Sequence, residues 1–224
     1  MSKGSSSIVL NYHDSLLRTS DVRLLNDGRW LNDNLIGFML EYYEYDKYEK
    51  YSKELLFINP SMVQLLKFSD EEFVTSLIEC WDWDNRKLIF IPLNNNSSST
   101  NSGGSHWSLL VINIGESKCY SFDSSRDINI ESSQSLLQII NKALISKGYK
   151  DLKFVEGQCP QQINFSDCGV YVICIVDDIC GRYARDTTDL KYLRDIKPDI
   201  KPQHAAEQRK HIKQLIQQLS VKKT

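Results

Sequence analysis

Apolar positions along the chain fall first at helical spacing, then in short strand-like runs, then at helical spacing again. Ile8 to Tyr12 is a short apolar run that reads as an edge strand. Residues 14–25 carry apolar side chains at helical intervals and predict a helix. A second helix is expected from Leu35 through Tyr43, with Asn32 or Asp33 as its N-cap. Shorter helices follow over 62–67 and 71–80. Strands are expected over 87–93, 106–114 and 119–123, with a fourth over 153–156. The pattern over 130–147 is helical and ends near Gly148, a fitting C-terminal stop. The pattern over 204–219 predicts a final amphipathic helix. Residues 170–176 stay ambiguous: their β-branched side chains favour a strand, whereas Asp167 as an N-cap favours a helix. Helices, then strands, then helices argue for an α+β fold around a small mixed sheet.

Composition narrows the class. Of 224 residues, 41 % are hydrophobic and 25 % charged, which permits a real core and argues against disorder. No low-complexity linker divides the chain, so a single domain is expected over 8–224, after a disordered end at 1–7. The net charge of −2 offers no basic excess for nucleic acid or an anionic membrane. No apolar stretch reaches the roughly 20 residues of a membrane helix. The late basic residues Arg209, Lys210, Lys213, Lys222 and Lys223 read as a solvated helix face and tail. The six cysteines form no C-x-x-C pair and follow no secretory leader. They are expected to be reduced thiols in a cytoplasmic or nuclear protein, with no metal and no cofactor. Cys80, Cys119, Cys174 and Cys180 are expected to be inert and buried.

Four positions carry chemistry. His106 begins an apolar strand beside Trp107, directly after Asn94–Ser105, a run of polar and small residues with no apolar anchor. Such a loop is either disordered or a functional lid. Asp123 ends the next strand; if a hairpin at Gly115-Glu116 pairs the two strands, the carboxylate reaches the imidazole and fixes its tautomer. Taken alone, Asp123 reads as a strand-end turn residue. Cys168 sits in Asn-Phe-Ser-Asp-Cys-Gly. If a helix starts there, its dipole and free N–H groups favour a thiolate, and Gly169 lets a substrate backbone approach. Gln162 offers an amide donor for an oxyanion.

The order His106, Asp123, Gln162, Cys168 does not fit papain-like enzymes, whose cysteine precedes the histidine. With Trp30-Leu-Asn-Asp33, His106-Trp-Ser-Leu-Leu-Val111, Phe122-Asp-Ser124 and Gln162-Ile-Asn-Phe-Ser-Asp-Cys-Gly169, the chain resembles the ubiquitin-like-protein cysteine proteases of the adenain clan. Within the clan it is most similar to the deneddylases of the sentrin/SUMO-specific protease family. The resemblance implies a papain-like α+β fold whose nucleophile opens a helix running from Cys168 to about Asp186. It implies catalytic roles for His106, Asp123, Gln162 and Cys168, and cleavage after the C-terminal Gly-Gly of the neddylation modifier. Trp30 and Trp107, which otherwise read as core, would wall a narrow tunnel for that Gly-Gly. Asp33, otherwise a simple N-cap, would contact the modifier's basic tail. The implied partners are the modifier and its conjugates, such as cullins, met by a monomer. A SUMO protease of the same family and a non-catalytic binding module are the alternatives. One departure is Phe165, where the family often has tyrosine.

Overall fold

The computed structural model describes residues 7–101, 103–126, 128–194, 196 and 202–221. The expected disordered end at 1–7 therefore lies, except for Ser7, outside the described residues, as do Lys222 and Lys223. A short hairpin, β1 (Ile8–Tyr12) and β2 (Ser15–Arg18), opens the fold and leads into α1 (Thr19–Arg23). The single helix expected over 14–25 is thus a four-residue strand followed by a five-residue helix. Ser15 and Leu17 are buried while Leu16 and Arg18 face out, a period of two that short apolar spacing disguised. His13 closes the hairpin with a positive φ of 45°.

α2 (Asp33–Tyr42) is capped by Asn32, whose side chain accepts from the Leu35 N–H at 3.2 Å. β3 (Leu55–Phe57), too short to show a period, was not legible in the sequence. α3 (Pro60–Leu66) and α4 (Glu71–Cys80) follow, then β4 (Leu88–Asn94), β5 (Trp107–Asn113) and β6 (Lys118–Phe122). α5 (Ile130–Ser146) ends at Gly148, whose φ of 80° only glycine adopts easily. β7 (Lys153–Glu156), α6 (Cys168–Arg185) and α7 (Pro202–Val221) complete the order. The ambiguous run over 170–176 is helix.

The five-stranded sheet runs β3-β4-β5-β6-β7. Its outer pairs are parallel and its two inner pairs antiparallel. β4 and β5 are buried on both faces, which explains their nearly continuous apolar sequence. Alternate side chains sort into two cores. Phe90, Leu109, Val111 and Phe122 face α2, α6 and α7. Ile89, Ile91, Leu110 and Ile112 face α4 and α5. The first core sits under the candidate site, because α6 packs on β5 and α7 packs on α6.

Candidate active site

The β5–β6 hairpin builds half of the site. Its register pairs Leu109 with Phe122 and Leu110 with Ser121. Continued by one step, it sets Asp123 opposite Ser108, on the same face as His106 and diagonal to it. The side chains meet there: His106 Nε2 lies 2.5 Å from Asp123 Oδ1. Asp123 is itself fixed by backbone donors, Ser125 N–H to Oδ1 at 2.9 Å and Asn129 N–H to Oδ2 at 3.0 Å. Asn129 is fully buried and anchors to Leu93 O and Ser108 Oγ through its own amide. Sequence reading missed Asn129; an asparagine just before a helix looks like an ordinary cap.

α6 supplies the other half. Cys168 is its first residue, 2 % exposed; α6 packs on β5, and the thiol hydrogen-bonds with the His106 imidazole. With Nε2 engaged by Asp123, Nδ1 is the ring atom left for the thiol. Burial works against a charged His106, but hydrogen bonds to Asp123 and Cys168, and the charges those groups carry, outweigh it and raise its pKa from 6.5 to about 9. An imidazole so held can take the thiol proton and keep it as an imidazolium facing a thiolate. The Cys168 N–H lies in the first turn of α6, where helical geometry provides no intrahelical acceptor. Neither the buried Cys119 and Cys180 nor the half-buried Cys159 and Cys174 faces an imidazole. Burial pushes Cys119, Cys159 and Cys174 up to about 12, and Cys180 well above its ordinary value. Cys80, expected to be buried, is exposed.

Two sequence readings around Cys168 are corrected. Asp167 occupies the N-cap position of α6, but its side chain makes no cap bond. Oδ1 instead receives Arg209, and Oδ2 receives Asn164 Nδ2 at 2.8 Å. Gly169 does not open the backbone to substrate. A Cβ there would lie 3.1 Å from Leu31 and 3.2 Å from Ile36, so glycine serves close packing of α6 on α2.

Gln162 Oε1 accepts from Ser124 Oγ at 2.8 Å, which points its Nε2 end the other way. One N–H of that amide donates to Asn164 O at 2.6 Å; an amide carries two. Phe165 is 91 % exposed, and the structure uses only its carbonyl, which accepts the Trp30 indole N–H at 2.6 Å. The departure at this position therefore costs the site no bond made here.

A cleft of about 470 Å³ runs up to Cys168 between Trp30 and Trp107. Trp30 is 49 % exposed, so it is a wall and not core. Trp107 is buried and donates to Leu31 O at 3.1 Å. Asp33 also lines the cleft. Asn32 does the capping, and the Asp33 carboxylate has Ser61 Oγ at 3.5 Å. The loop between β4 and β5 also lines the cleft, with Asn94, Asn96, Ser98 and Gly104 among its residues there. It is organised without apolar anchors: Asn94 and Asn96 side chains accept backbone N–H groups two residues ahead, at 2.9 Å each. From α3, Gln64 Nε2 donates to Ser98 O at 2.9 Å and Lys67 Nζ to Asn94 O at 2.9 Å. Partial burial lowers the Lys67 pKa from its usual range. Gly104 closes the loop at φ 83°, so near Asn94 that a Cβ would sit 1.8 Å from Oδ1.

The histidines outside the site are His13, exposed and stacked on Tyr45, the half-buried His204, and the exposed His211. Among the described residues, no group of three or more His, Cys, Asp or Glu side chains stands ready to hold a metal ion. No described helix is long and apolar enough to cross a membrane.

The sequence profile of the Ulp1 protease family, C-terminal catalytic domain, matches residues 29–216. Sentrin-specific protease 8 of Homo sapiens is 37 % identical over 81 % of this chain and 85 % of its own length. NEDD8-specific protease 1 of Arabidopsis thaliana is 29 % identical over 86 % of each. The crystal structure of the C-terminal Ulp1 protease domain in complex with Smt3, the yeast ortholog of SUMO, superposes with a TM-score of 0.72. That match covers 96 % of this chain and 89 % of the other, at 23 % identity, and shows the fold.

Proposed function

The chain belongs to the Ulp1 protease family and is a cysteine peptidase, and from that premise we propose that it cleaves after the C-terminal Gly-Gly of a NEDD8-type modifier. The observation that carries the reading is the buried His106, short-bonded to Asp123 and raised to about 9 beside the Cys168 thiol, at the end of a tryptophan-walled cleft. In the proposed mechanism Cys168 is the nucleophile, His106 the acid and base, and Asp123 the group that orients His106.

The modifier's tail enters between Trp30 and Trp107, where flat aromatic walls admit glycine and reject a side chain. Asp33 meets the basic part of that tail. The thiolate attacks the carbonyl of the last glycine. The developing oxyanion receives the Cys168 N–H and the Gln162 amide, each donor contributing about 3 kcal/mol. The His106 imidazolium then gives its proton to the leaving amine, and water clears the thioester. The leaving amine belongs to a precursor peptide or to a lysine of a conjugate, cullins being the substrates the family resemblance suggests. We place the activity in a monomer of the cytoplasm or nucleus.

NEDD8 is favoured over SUMO because the Arabidopsis relative, NEDD8-specific by name, matches this chain at 29 % identity over 86 % of each length. The test uses fluorogenic C-terminal amides of NEDD8, SUMO and ubiquitin, with the protein and its Cys168→Ala variant. Release from the NEDD8 amide, absent in the variant, is expected. Preferential release from SUMO overturns the substrate, and equal release by the variant overturns the mechanism.

A further inference from the structure

Arg209 was expected on a solvated face, but it is 2 % exposed. It projects from α7 into the seam between two segments distant in sequence. Nη1 donates to Leu24 O at 2.9 Å and Asn26 O at 3.4 Å. Nη2 donates to Arg29 O at 2.8 Å, to Ser166 O at 3.2 Å and to Asp167 Oδ1 at 2.6 Å. Nε donates to the same Asp167 oxygen at 3.0 Å. One turn later, Lys213 Nζ reaches Asn26 Oδ1 at 2.7 Å.

One side of this seam, residues 24–29, delivers Trp30. The other, residues 164–167, delivers Cys168. Each ends at a wall or floor of the cleft; a direct bond between them, Trp30 Nε1 to Phe165 O, and the packing of Leu31 against Gly169 lie beside the Arg209 fork. A guanidinium spreads its donors in a rigid fork, so it can bind both segments at once, whereas an ammonium is one compact point.

We infer that Arg209, backed by Lys213, is a positioning residue that sets the gap between Trp30 and Cys168 and so governs entry of the modifier's Gly-Gly tail. This rests on the reading of Trp30 as a substrate wall. Arg209 touches no reacting atom; it acts through two backbone segments and the Asp167 carboxylate. The base, held by the β5–β6 hairpin, does not depend on it.

The experiment compares the protein with Arg209→Lys and Lys213→Met, the second a milder change that leaves the buried pair intact. Indole N–H hydrogen exchange is followed by NMR for Trp30, Trp81, Trp83 and Trp107, and iodoacetamide measures Cys168 reactivity. KM and kcat are taken with the NEDD8 amide. In Arg209→Lys, Trp30 is expected to exchange about tenfold faster while the other indoles hold, with KM up about tenfold and kcat and alkylation within about threefold. Lys213→Met shifts the same two readouts in the same direction by about twofold to threefold. Acceleration of all four indoles together, or a kcat that falls with the fraction of reactive Cys168, overturns the inference in favour of a general structural role. Unmoved Trp30 exchange and KM overturn it outright. Should the wild-type protein leave every modifier amide intact, the proposed function fails, while Trp30 exchange and Cys168 alkylation still decide the role of Arg209.

Discussion

Replacing Asp123 by alanine removes the carboxylate that meets His106 Nε2. In the intact site burial opposes the imidazolium, yet Asp123 and Cys168 lift His106 from 6.5 to about 9. At about 1.4 kcal/mol per unit, that is roughly 3 kcal/mol in favour of the charged ring. Without Asp123 burial has only Cys168 against it, so the pKa falls back toward or below its ordinary value. At pH 8 the wild-type ring is mostly charged and the variant's mostly neutral and free to rotate. The expected loss in kcat/KM is about 10²-fold or more, since both the proton donor and its orientation are lost. The sign extends to stability. A raised histidine pKa stabilises the fold fully below pH 6.5, and that contribution disappears as pH rises through about 9. The melting-temperature gap between wild type and variant should therefore be widest near pH 6 and narrow toward pH 10, to what the lost Ser125 and Asn129 bonds leave. The assay is kcat/KM from pH 6 to 10 on the NEDD8 amide, with the His106 ring protons titrated by NMR. A wild-type alkaline limb near pH 7, or the same limb in both proteins, refutes the reasoning.

Gln162→Ala should lower kcat by about 10²-fold with KM little changed, because an oxyanion donor acts only in the transition state. Steady-state kinetics check it, and an effect confined to KM counts against the role. Gly104→Ala should raise KM about fivefold with only a small loss of melting temperature: the added Cβ displaces the Asn94 side chain that organises the cleft rim. Faster amide exchange across the loop should accompany the change, and an unaltered KM would show that the rim does not hold substrate.

The long elements were legible because their periods were. β7 matches its expected bounds, and α4, α5 and the three central strands fall within a residue or two. Residues 14–25 misled because a four-residue strand and a five-residue helix, end to end, scatter leucines at intervals that imitate one longer helix. The helix at Cys168 needed tertiary information: Val170, Val172 and Ile173 favour a strand, but packing against β5 and α7 overrides that preference. Within the site, side chains at element ends could be read, since strand and helix termini have few jobs. Groups that act through backbone atoms could not. Asn129, Asn164 and Arg209 resemble common caps, turns and surface charge until their partners are known.

The spans of the site's bonds differ widely. His106 and Asp123 are 17 residues apart, within one hairpin. Trp30 and Phe165 are separated by 135, and Arg209 and Arg29 by 180. Contacts that close long loops cost more chain entropy than those between near neighbours in sequence. The His106–Asp123 pair is therefore a local feature of one hairpin, while the slot between Trp30 and Cys168 is a global one, closed only by segments from both ends of the chain. The substrate selection proposed above thus depends on long-range assembly that the His106–Asp123 pair does not need.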